Sequence, residues 1–252
     1  MKIGIVGFGN LGRSLASGLV RSGSVGAGYL IICDLSPDAL AIAAGEPYSA
    51  YATSDVNDAI SKSDIVFLVI KGYVFTELAA VIDKDKLSGK TVVSFMAGET
   101  FDRIFSLIGN VNLVRAMPSL QISECDGVIG YTKSPPELVS IFNKLGYAFE
   151  VEPDKIETVM AFSSCGLGFA AYLVDAFATA GEAMGFPRET AAHIAALTFK
   201  HAAGREDFSA TVKAVATPGG ATEQGVLHMD SCNVYGIISD AVRKAYNRMS
   251  GV

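Results

Sequence analysis

The chain has 252 residues, half of them apolar, with a formal net charge of −6 and four cysteines. This length and apolar content suffice for a sizeable core, most simply one α/β domain with a smaller partner. The acidic balance, with no basic run, argues against a nucleic-acid partner, because a positive surface dominates affinity for phosphates. No apolar run reaches the length of a membrane span, and no leader segment precedes the first strand, so no membrane partner is expected. Scattered cysteines without metal-type spacing indicate reduced thiols in a cytoplasmic protein.

Up to residue 152 the sequence alternates short apolar strands with helices. This alternation predicts an α/β fold whose strands pair in parallel through right-handed crossovers. The strands are predicted at Lys2–Val6, Tyr29–Asp34, Ile65–Ile70, Thr91–Phe95, Val111–Arg115, Val128–Thr132 and Ala148–Val151. Helices are predicted at Leu11–Ser22, from Ser36-Pro37 onward, at Val74–Ile82 and at Glu137–Lys144.

The pattern changes at Glu152-Pro153, after which helical periodicity replaces strand signals. Helices are predicted at Ala170–Met184, Arg188–Gly204 and Val234–Met249. We therefore predict a Rossmann-type dinucleotide-binding domain over residues 1–152 and an all-helical domain over 153–252. The helical faces carry more apolar residues than a small bundle buries, which predicts a homodimer or higher homo-oligomer through these helices.

A glycine-rich loop follows the first strand and begins the first helix. Its residues are Gly7, Phe8, Gly9, Asn10, Leu11 and Gly12, the GxGxxG pattern of dinucleotide-binding folds. Gly7 permits the tight turn, Gly9 lets the backbone approach a pyrophosphate, and Gly12 allows close helix packing. The helix N-terminus offers unpaired N–H groups to the phosphates. The alternative is a glycine-rich turn without a ligand.

Asp34 ends the second strand at the distance from the loop that the dinucleotide fingerprint requires. A carboxylate here accepts both ribose hydroxyls of NADH and repels the 2′-phosphate of NADPH. Leu35 and Ser36 follow it, with no adjacent arginine, and Ser36 is included in the predicted cofactor site. The prediction favours NADH and leaves NADPH possible. The alternative is a solvated acidic cap at the strand end.

A small, hydroxyl-rich turn, Val215-Ala216-Thr217-Pro218-Gly219-Gly220-Ala221-Thr222, separates two helical segments. A turn that enters a helix offers backbone N–H groups, here of Gly220, Ala221 and Thr222, to an anionic group. The alternative is a plain helix start in which Thr222 supplies a capping hydroxyl.

Four segments resemble the pyrroline-5-carboxylate reductase family. Asp64 to Lys71 is similar to its DxxFLAVK strand, and Gly89 to Gly98 to the following strand with its Ala-Gly turn. Val114 to Pro118 is similar to the start of VRxMPNTP, and Val215 to Thr222 resembles the signature VxSPGGxT.

The resemblance implies NAD(P)H-dependent reduction of the cyclic imine 1-pyrroline-5-carboxylate to L-proline. By this resemblance Val69, Ile70, Lys71 and Ala97 line the cofactor site, and Gly219 and Gly220 belong to the turn that binds the substrate carboxylate. Val215 borders the substrate ring, while Thr222, the predicted catalytic residue, hydrogen-bonds the imine nitrogen and orients it.

The chain departs from the family pattern at Ser119-Leu120-Gln121, at Gly72 and at Ser163 to Phe169. These departures leave other substrates open, such as a related imine. A β-hydroxyacid dehydrogenase relative is less favoured, because residues 170–175 contain neither the lysine nor the asparagine of that class. A protein that senses the nucleotide without turnover is the third alternative.

Overall fold

The computed structural model describes residues 1–26 and 28–250, with the side chain of residue 250 excepted. The first part of the described chain contains eight strands and seven α-helices, which alternate except between β6 and β7. In chain order they are β1 (Ile3–Val6), α1 (Asn10–Arg21), β2 (Leu30–Cys33), α2 (Pro37–Ala44), β3 (Tyr51–Thr53), α3 (Val56–Lys62), β4 (Ile65–Leu68), α4 (Gly72–Val81), β5 (Thr91–Ser94), α5 (Phe101–Ile108), β6 (Asn112–Pro118), β7 (Gly127–Tyr131), α6 (Pro136–Leu145), β8 (Gly146–Glu150) and α7 (Ile156–Val159). Helices follow as α8 (Cys165–Ala183), α9 (Arg188–Ala203), α10 (Phe208–Val215), α11 (Ala221–Ser231) and α12 (Val234–Ser250).

The strands form one sheet in the order β3-β2-β1-β4-β5-β6-β7-β8. Neighbours from β3 to β6 pair in parallel, as predicted for a Rossmann-type fold. The expectation of parallel pairing throughout is wrong at β7, which pairs antiparallel with β6 before β8 resumes a parallel pairing with β7. Residues 119–126 are too few for a crossover, which takes about a dozen residues or more, so the chain can only turn back.

The core lies on both faces of the sheet. Ile3 and Ile5 of β1 belong to one buried cluster, whereas Val6 belongs to the other, because side chains of a strand alternate between faces. Leu15 and Leu19 of α1 also belong to the first cluster. Each fully buried side chain of this kind contributes about 1.5–3 kcal/mol. Coverage on both faces explains why the strands are continuous apolar runs.

The chain divides into two compact units. The first comprises Met1–Ser164 with the C-terminal residues from Tyr246 onward, and the second comprises Cys165–Ala245. In the second unit α8 packs on α9, with the rings of Phe177 and Phe199 edge to face at 5.9 Å. A turn at Gly185, whose φ is 98°, separates these helices. The break between the helices predicted at Ala170–Met184 and Arg188–Gly204 is confirmed.

The helix predicted at Ala170–Met184 is longer than its sequence pattern indicated. A π turn at Met160–Ser164 joins α7 to α8, so a helical run extends over Pro153–Ala183. By length and composition alone, this run is apolar enough to cross a membrane, which corrects the expectation that no run has that length.

Candidate functional site

The predicted cofactor residues follow four strands that are adjacent in the sheet. The glycine loop follows β1, Asp34 follows β2, Val69 to Lys71 follow β4, and Ala97 follows β5. The carboxyl ends of parallel strands lie at one edge of the sheet. Strand order reverses between β2-β1 and β4-β5, and such a switch point is where open α/β sheets bind ligands.

The three glycines of the loop differ in what a side chain would meet. A Cβ on Gly7, whose φ is 100°, would lie 2.4 Å from the Val69 carbonyl oxygen. A Cβ on Gly12 would lie 2.1 Å from the Gly7 carbonyl oxygen. Around Gly9 no described atom lies within 4 Å of the Cβ position. Gly7 and Gly12 are therefore required by the fold, whereas the open side of Gly9 leaves space for a pyrophosphate at the N-terminus of α1.

Asp34 joins the glycine loop to the turn after β2. Its Oδ2 accepts the Phe8 N–H at 2.6 Å, and its Oδ1 accepts the Ser36 N–H at 2.9 Å. The Ser36 hydroxyl accepts the Ala39 N–H and caps α2, as the Ser-Pro pattern predicted. Each carboxylate oxygen has a further lone-pair direction, so Asp34 keeps acceptor capacity for ribose hydroxyls.

The remaining loop residues have distinct positions. Phe8 is buried in the core, where its ring packs edge to face on Tyr48 at 5.4 Å. Arg13 donates from Nε to the Phe8 carbonyl oxygen at 3.2 Å. Asn10 is exposed at the start of α1, and Leu11 packs against the core. The side chain of Phe8 is therefore not available to a ligand, whereas the side chain of Asn10 is accessible to solvent.

The turns after β4 and β5 lie side by side. Val69 donates its N–H to the Val6 carbonyl at 2.8 Å, which holds this turn beside β1, and Ile70 borders Gly7. Lys71 is exposed immediately before α4, and Ala97 is half-buried. A Cβ on Gly72 would lie 3.4 Å from the Ala97 carbonyl oxygen. The four predicted residues after β4 and β5 thus occupy one edge together with the glycine loop.

A buried ion pair beside this edge was missed by the sequence analysis. Arg115 of β6 is 2% exposed, and its Nη2 donates to Oε1 of Glu157 at 2.7 Å. The same nitrogen donates to the Met96 carbonyl oxygen at 3.0 Å. An arginine inside the apolar strand Leu113 to Met117 was the available signal, because a fully buried arginine is rare without a partner.

The Pro-Gly-Gly turn belongs to the second unit, between α10 and α11. Gly219 has a φ of 76° and donates its N–H to Oε2 of Glu223 at 2.7 Å, while the Gly220 N–H donates to the Thr217 carbonyl at 2.8 Å. Within residues 1–26 and 28–250, the N–H groups of Ala221 and Thr222 have no protein acceptor. Gly220 is therefore not an available donor, and the donors that remain are Ala221 and Thr222.

Thr222 and Val215 are both exposed in the second unit. The alternative in which Thr222 caps its helix is not what the structure contains: Gly220 is the N-cap, and no side chain of the described chain caps α11. The threonine hydroxyl remains available to a ligand.

The altered segment after Pro118 supports α1. The Ser119 hydroxyl accepts the Val128 N–H at 3.0 Å, and residues Leu120–Glu124 form a 3-10 helix. A Cβ on Gly18 of α1 would lie 2.2 Å from the Ile122 carbonyl oxygen. This close approach gives the departure from the family pattern a packing role.

Two family models match the chain. The description "Pyrroline-5-carboxylate reductase dimerisation" matches residues 153–252, and "NADP oxidoreductase coenzyme F420-dependent" matches residues 2–98. The pyrroline-5-carboxylate reductase of Escherichia coli (strain K12) is 26% identical over 98% of this chain and 96% of its own length. That of Aquifex aeolicus (strain VF5) is 26% identical over 97% of this chain and 94% of its own length.

Solved structures agree with this assignment. The pyrroline-5-carboxylate reductase of Coxiella burnetii has a TM-score of 0.88 at 26% identity, over 99% of this chain and 97% of its own. The pyrroline carboxylate reductase of Plasmodium falciparum, solved with NADP bound, has a TM-score of 0.87 at 20% identity, over 100% and 97%. The pyrroline-5-carboxylate reductase dimerisation model matches residues 153–252, and the named reductases align over nearly all of the chain, which together support its assignment to the pyrroline-5-carboxylate reductase family.

Proposed function

We propose that this protein reduces the cyclic imine 1-pyrroline-5-carboxylate to L-proline with NAD(P)H. The observation that carries the proposal is the alignment of pyrroline-5-carboxylate reductases over nearly the whole chain, helical part included. A dinucleotide loop alone would fit many oxidoreductases, because one fold hosts many chemistries. The match of the helical region 153–252 to the reductase dimerisation model is what favours this reaction over other oxidoreductase reactions.

The cofactor site fits a nicotinamide dinucleotide on its own geometry. Bound NAD(P)H supplies the hydride. The N-terminus of α1 binds the pyrophosphate, which the open side of Gly9 admits. Asp34 accepts hydrogen bonds from the adenosine ribose, while Val69, Ile70, Lys71 and Ala97 line the half of the site beside β4 and β5.

The substrate is bound by the turn before α11. The N–H groups of Ala221 and Thr222 bind the carboxylate, and the positive end of the helix dipole favours that charge. The Thr222 hydroxyl hydrogen-bonds the imine nitrogen and orients it for protonation, directly or through water. Gly219 and Gly220 shape the turn, and Val215 borders the substrate ring.

We infer that NADH is preferred over NADPH. Asp34 carries a negative charge where the 2′-phosphate of NADPH would lie, and the residues after it are Leu35 and Ser36. The Plasmodium falciparum relative was solved with NADP, so cofactor choice differs within the fold if this inference holds. A wild-type preference for NADPH would contradict this role of Asp34 in cofactor specificity.

The protein assembles as a homo-oligomer, and we propose that the unit is a homodimer formed by the region 153–252. Large apolar side chains of the second unit are exposed in the single chain, among them Leu167, Tyr172, Phe177 and Met184. A second copy that covers them accounts for the apolar run Pro153–Ala183 without a membrane. The same proposal includes a domain boundary at residues 152/153, a cytoplasmic location, and no nucleic-acid partner.

The test is the initial rate of cofactor oxidation with 1-pyrroline-5-carboxylate, measured separately with NADH and NADPH. Turnover supports the proposed reaction. The ratio of kcat/KM for NADH to that for NADPH tests whether Asp34 favours NADH. Cofactor binding without turnover would overturn the proposed substrate. A panel of cyclic imines would then separate a related imine reductase from a nucleotide sensor.

A further inference from the structure

Arg115 places a positive charge inside the apolar sheet. It lies in β6 and is 2% exposed, while the side chain of its partner Glu157 on α7 is 14% exposed. Among the described residues no acceptor receives the buried Nε–H of Arg115. Burying such a group costs stability, and replacing a buried ion pair by apolar residues is often neutral or stabilising. Stability alone therefore does not explain this pair.

The pair holds both sides of one turn, Met96-Ala97-Gly98, which follows β5. Arg115 Nη2 donates to the Met96 carbonyl oxygen at 3.0 Å, and Oε1 of Glu157 accepts the Gly98 N–H at 3.3 Å. The link between the two side chains, at 2.7 Å, closes the arrangement. Ala97, the predicted cofactor residue, stands between the two attachment points.

The position of this turn in the sheet indicates which half of the dinucleotide lies beside it, the adenosine half or the nicotinamide half. Asp34 follows β2 on one side of the glycine loop, where the adenosine ribose binds. The turn after β5 lies on the other side of β1, beyond β4. A dinucleotide whose pyrophosphate lies over the loop after β1 must therefore direct its nicotinamide half toward β4 and β5.

We propose that Arg115 and Glu157 are positioning residues for the nicotinamide half of the cofactor. They fix the Met96-Ala97-Gly98 turn in the conformation that the ring contacts, without contacting the ring themselves. The inference rests on the proposed function in that it takes NAD(P)H as the cofactor.

The experiment compares two ligands by calorimetry: NADH, and ADP-ribose, which lacks the nicotinamide. Glu157→Ala removes the acceptor of the Gly98 N–H and leaves Arg115 unpaired. We expect the Kd of NADH to rise about tenfold, equivalent to ~1.4 kcal/mol, with the Kd of ADP-ribose unchanged. Glu157→Gln retains an acceptor oxygen and should restore most of the NADH affinity.

Asp154→Ala is the matched control, because it breaks the exposed Lys155–Asp154 ion pair close to Glu157 in the chain. It should change neither Kd. If Glu157→Ala fails to fold, Arg115→Lys decides, since lysine keeps the charge but its side chain is one atom too short to reach the position of Nη2, which donates to both acceptors. It too should weaken NADH and spare ADP-ribose.

An unchanged NADH affinity, or equal weakening of both ligands, would overturn the inference and leave a structural ion pair. The proposed reaction is judged separately on the wild-type protein. If the wild type binds NADH but does not reduce 1-pyrroline-5-carboxylate, the proposed function fails, while the ratio of the two affinities still tests the positioning pair.

Discussion

Substitution by alanine should have different effects at Gly9 and at Gly12, on cofactor binding at the first and on stability at the second. A Cβ at Gly9 meets no described atom within 4 Å, and its φ of −74° and ψ of −161° are open to alanine. A Cβ at Gly12 would lie 2.1 Å from the Gly7 carbonyl oxygen and 3.0 Å from its carbon. Gly9→Ala should therefore impair cofactor binding in a folded protein, whereas Gly12→Ala should impair the fold itself.

The magnitudes follow from these contacts. The methyl group of Gly9→Ala occupies the approach of the pyrophosphate, and each charge-assisted hydrogen bond that it displaces contributes about 1.5–3 kcal/mol. The Kd of NADH should rise about tenfold to hundredfold. Alanine is a poorer N-cap than glycine, which costs the fold about 1 kcal/mol. For Gly12→Ala, overpacking against a backbone carbonyl costs about 3 kcal/mol or more.

Calorimetry of NADH binding and thermal unfolding, applied to the wild type and both variants, separate the two effects. Gly9→Ala should lose affinity with a Tm lower by no more than about 4 °C, and Gly12→Ala should lose about 6 °C or more. If Gly9→Ala binds NADH as the wild type does, the pyrophosphate does not pass over Gly9. The proposed cofactor position would then be refuted.

Three further substitutions or treatments test the site. Thr222→Val should lower kcat about tenfold to hundredfold, or ~1.4 to 2.8 kcal/mol of barrier, with NADH affinity intact, and an unchanged kcat would exclude Thr222 from the mechanism. Asp34→Ser should narrow or invert the ratio of kcat/KM for NADH to NADPH, and a wild type that prefers NADPH would contradict our interpretation. Burial and the neighbouring Asp34 raise the pKa of the Cys33 thiol to about 11, so at about pH 8 alkylation should reach exposed Cys232 long before Cys33, whereas equal labelling by mass spectrometry would contradict this.

The strands that are buried on both faces were the most predictable part of the fold. β1, β2, β4 and β5 lie within the predicted strands, each one to two residues shorter at its ends. The strand at Tyr51–Thr53 and the helices α3, α5 and α7 were not predicted. β3 has an exposed first residue and no buried one, so its sequence lacks the apolar run that identified the others.

The candidate site was predictable where backbone geometry demands a particular residue. Glycine is required at positions 7 and 12 because a Cβ there would clash with backbone atoms. Asp34 was identified by its position at the end of the second predicted strand. Glu157 carried no such signal, because its partners Arg115 and Gly98 are distant in sequence. The N–H of Gly220 was predicted as a substrate donor, but it donates to the Thr217 carbonyl within the same turn, a local conformation that the sequence pattern did not specify.

The sequence by itself determined the Rossmann-type class, the glycine loop and the family resemblance, since periodicity, glycine spacing and local motifs are properties of neighbouring residues. Three features were decided by the tertiary structure alone. They are the antiparallel direction of β7, the two hydrogen bonds that Asp34 accepts, and the burial of Arg115 beside Glu157. Each of them depends on contacts between residues that are distant in sequence, and such contacts are fixed by the packing of the whole domain rather than by local sequence.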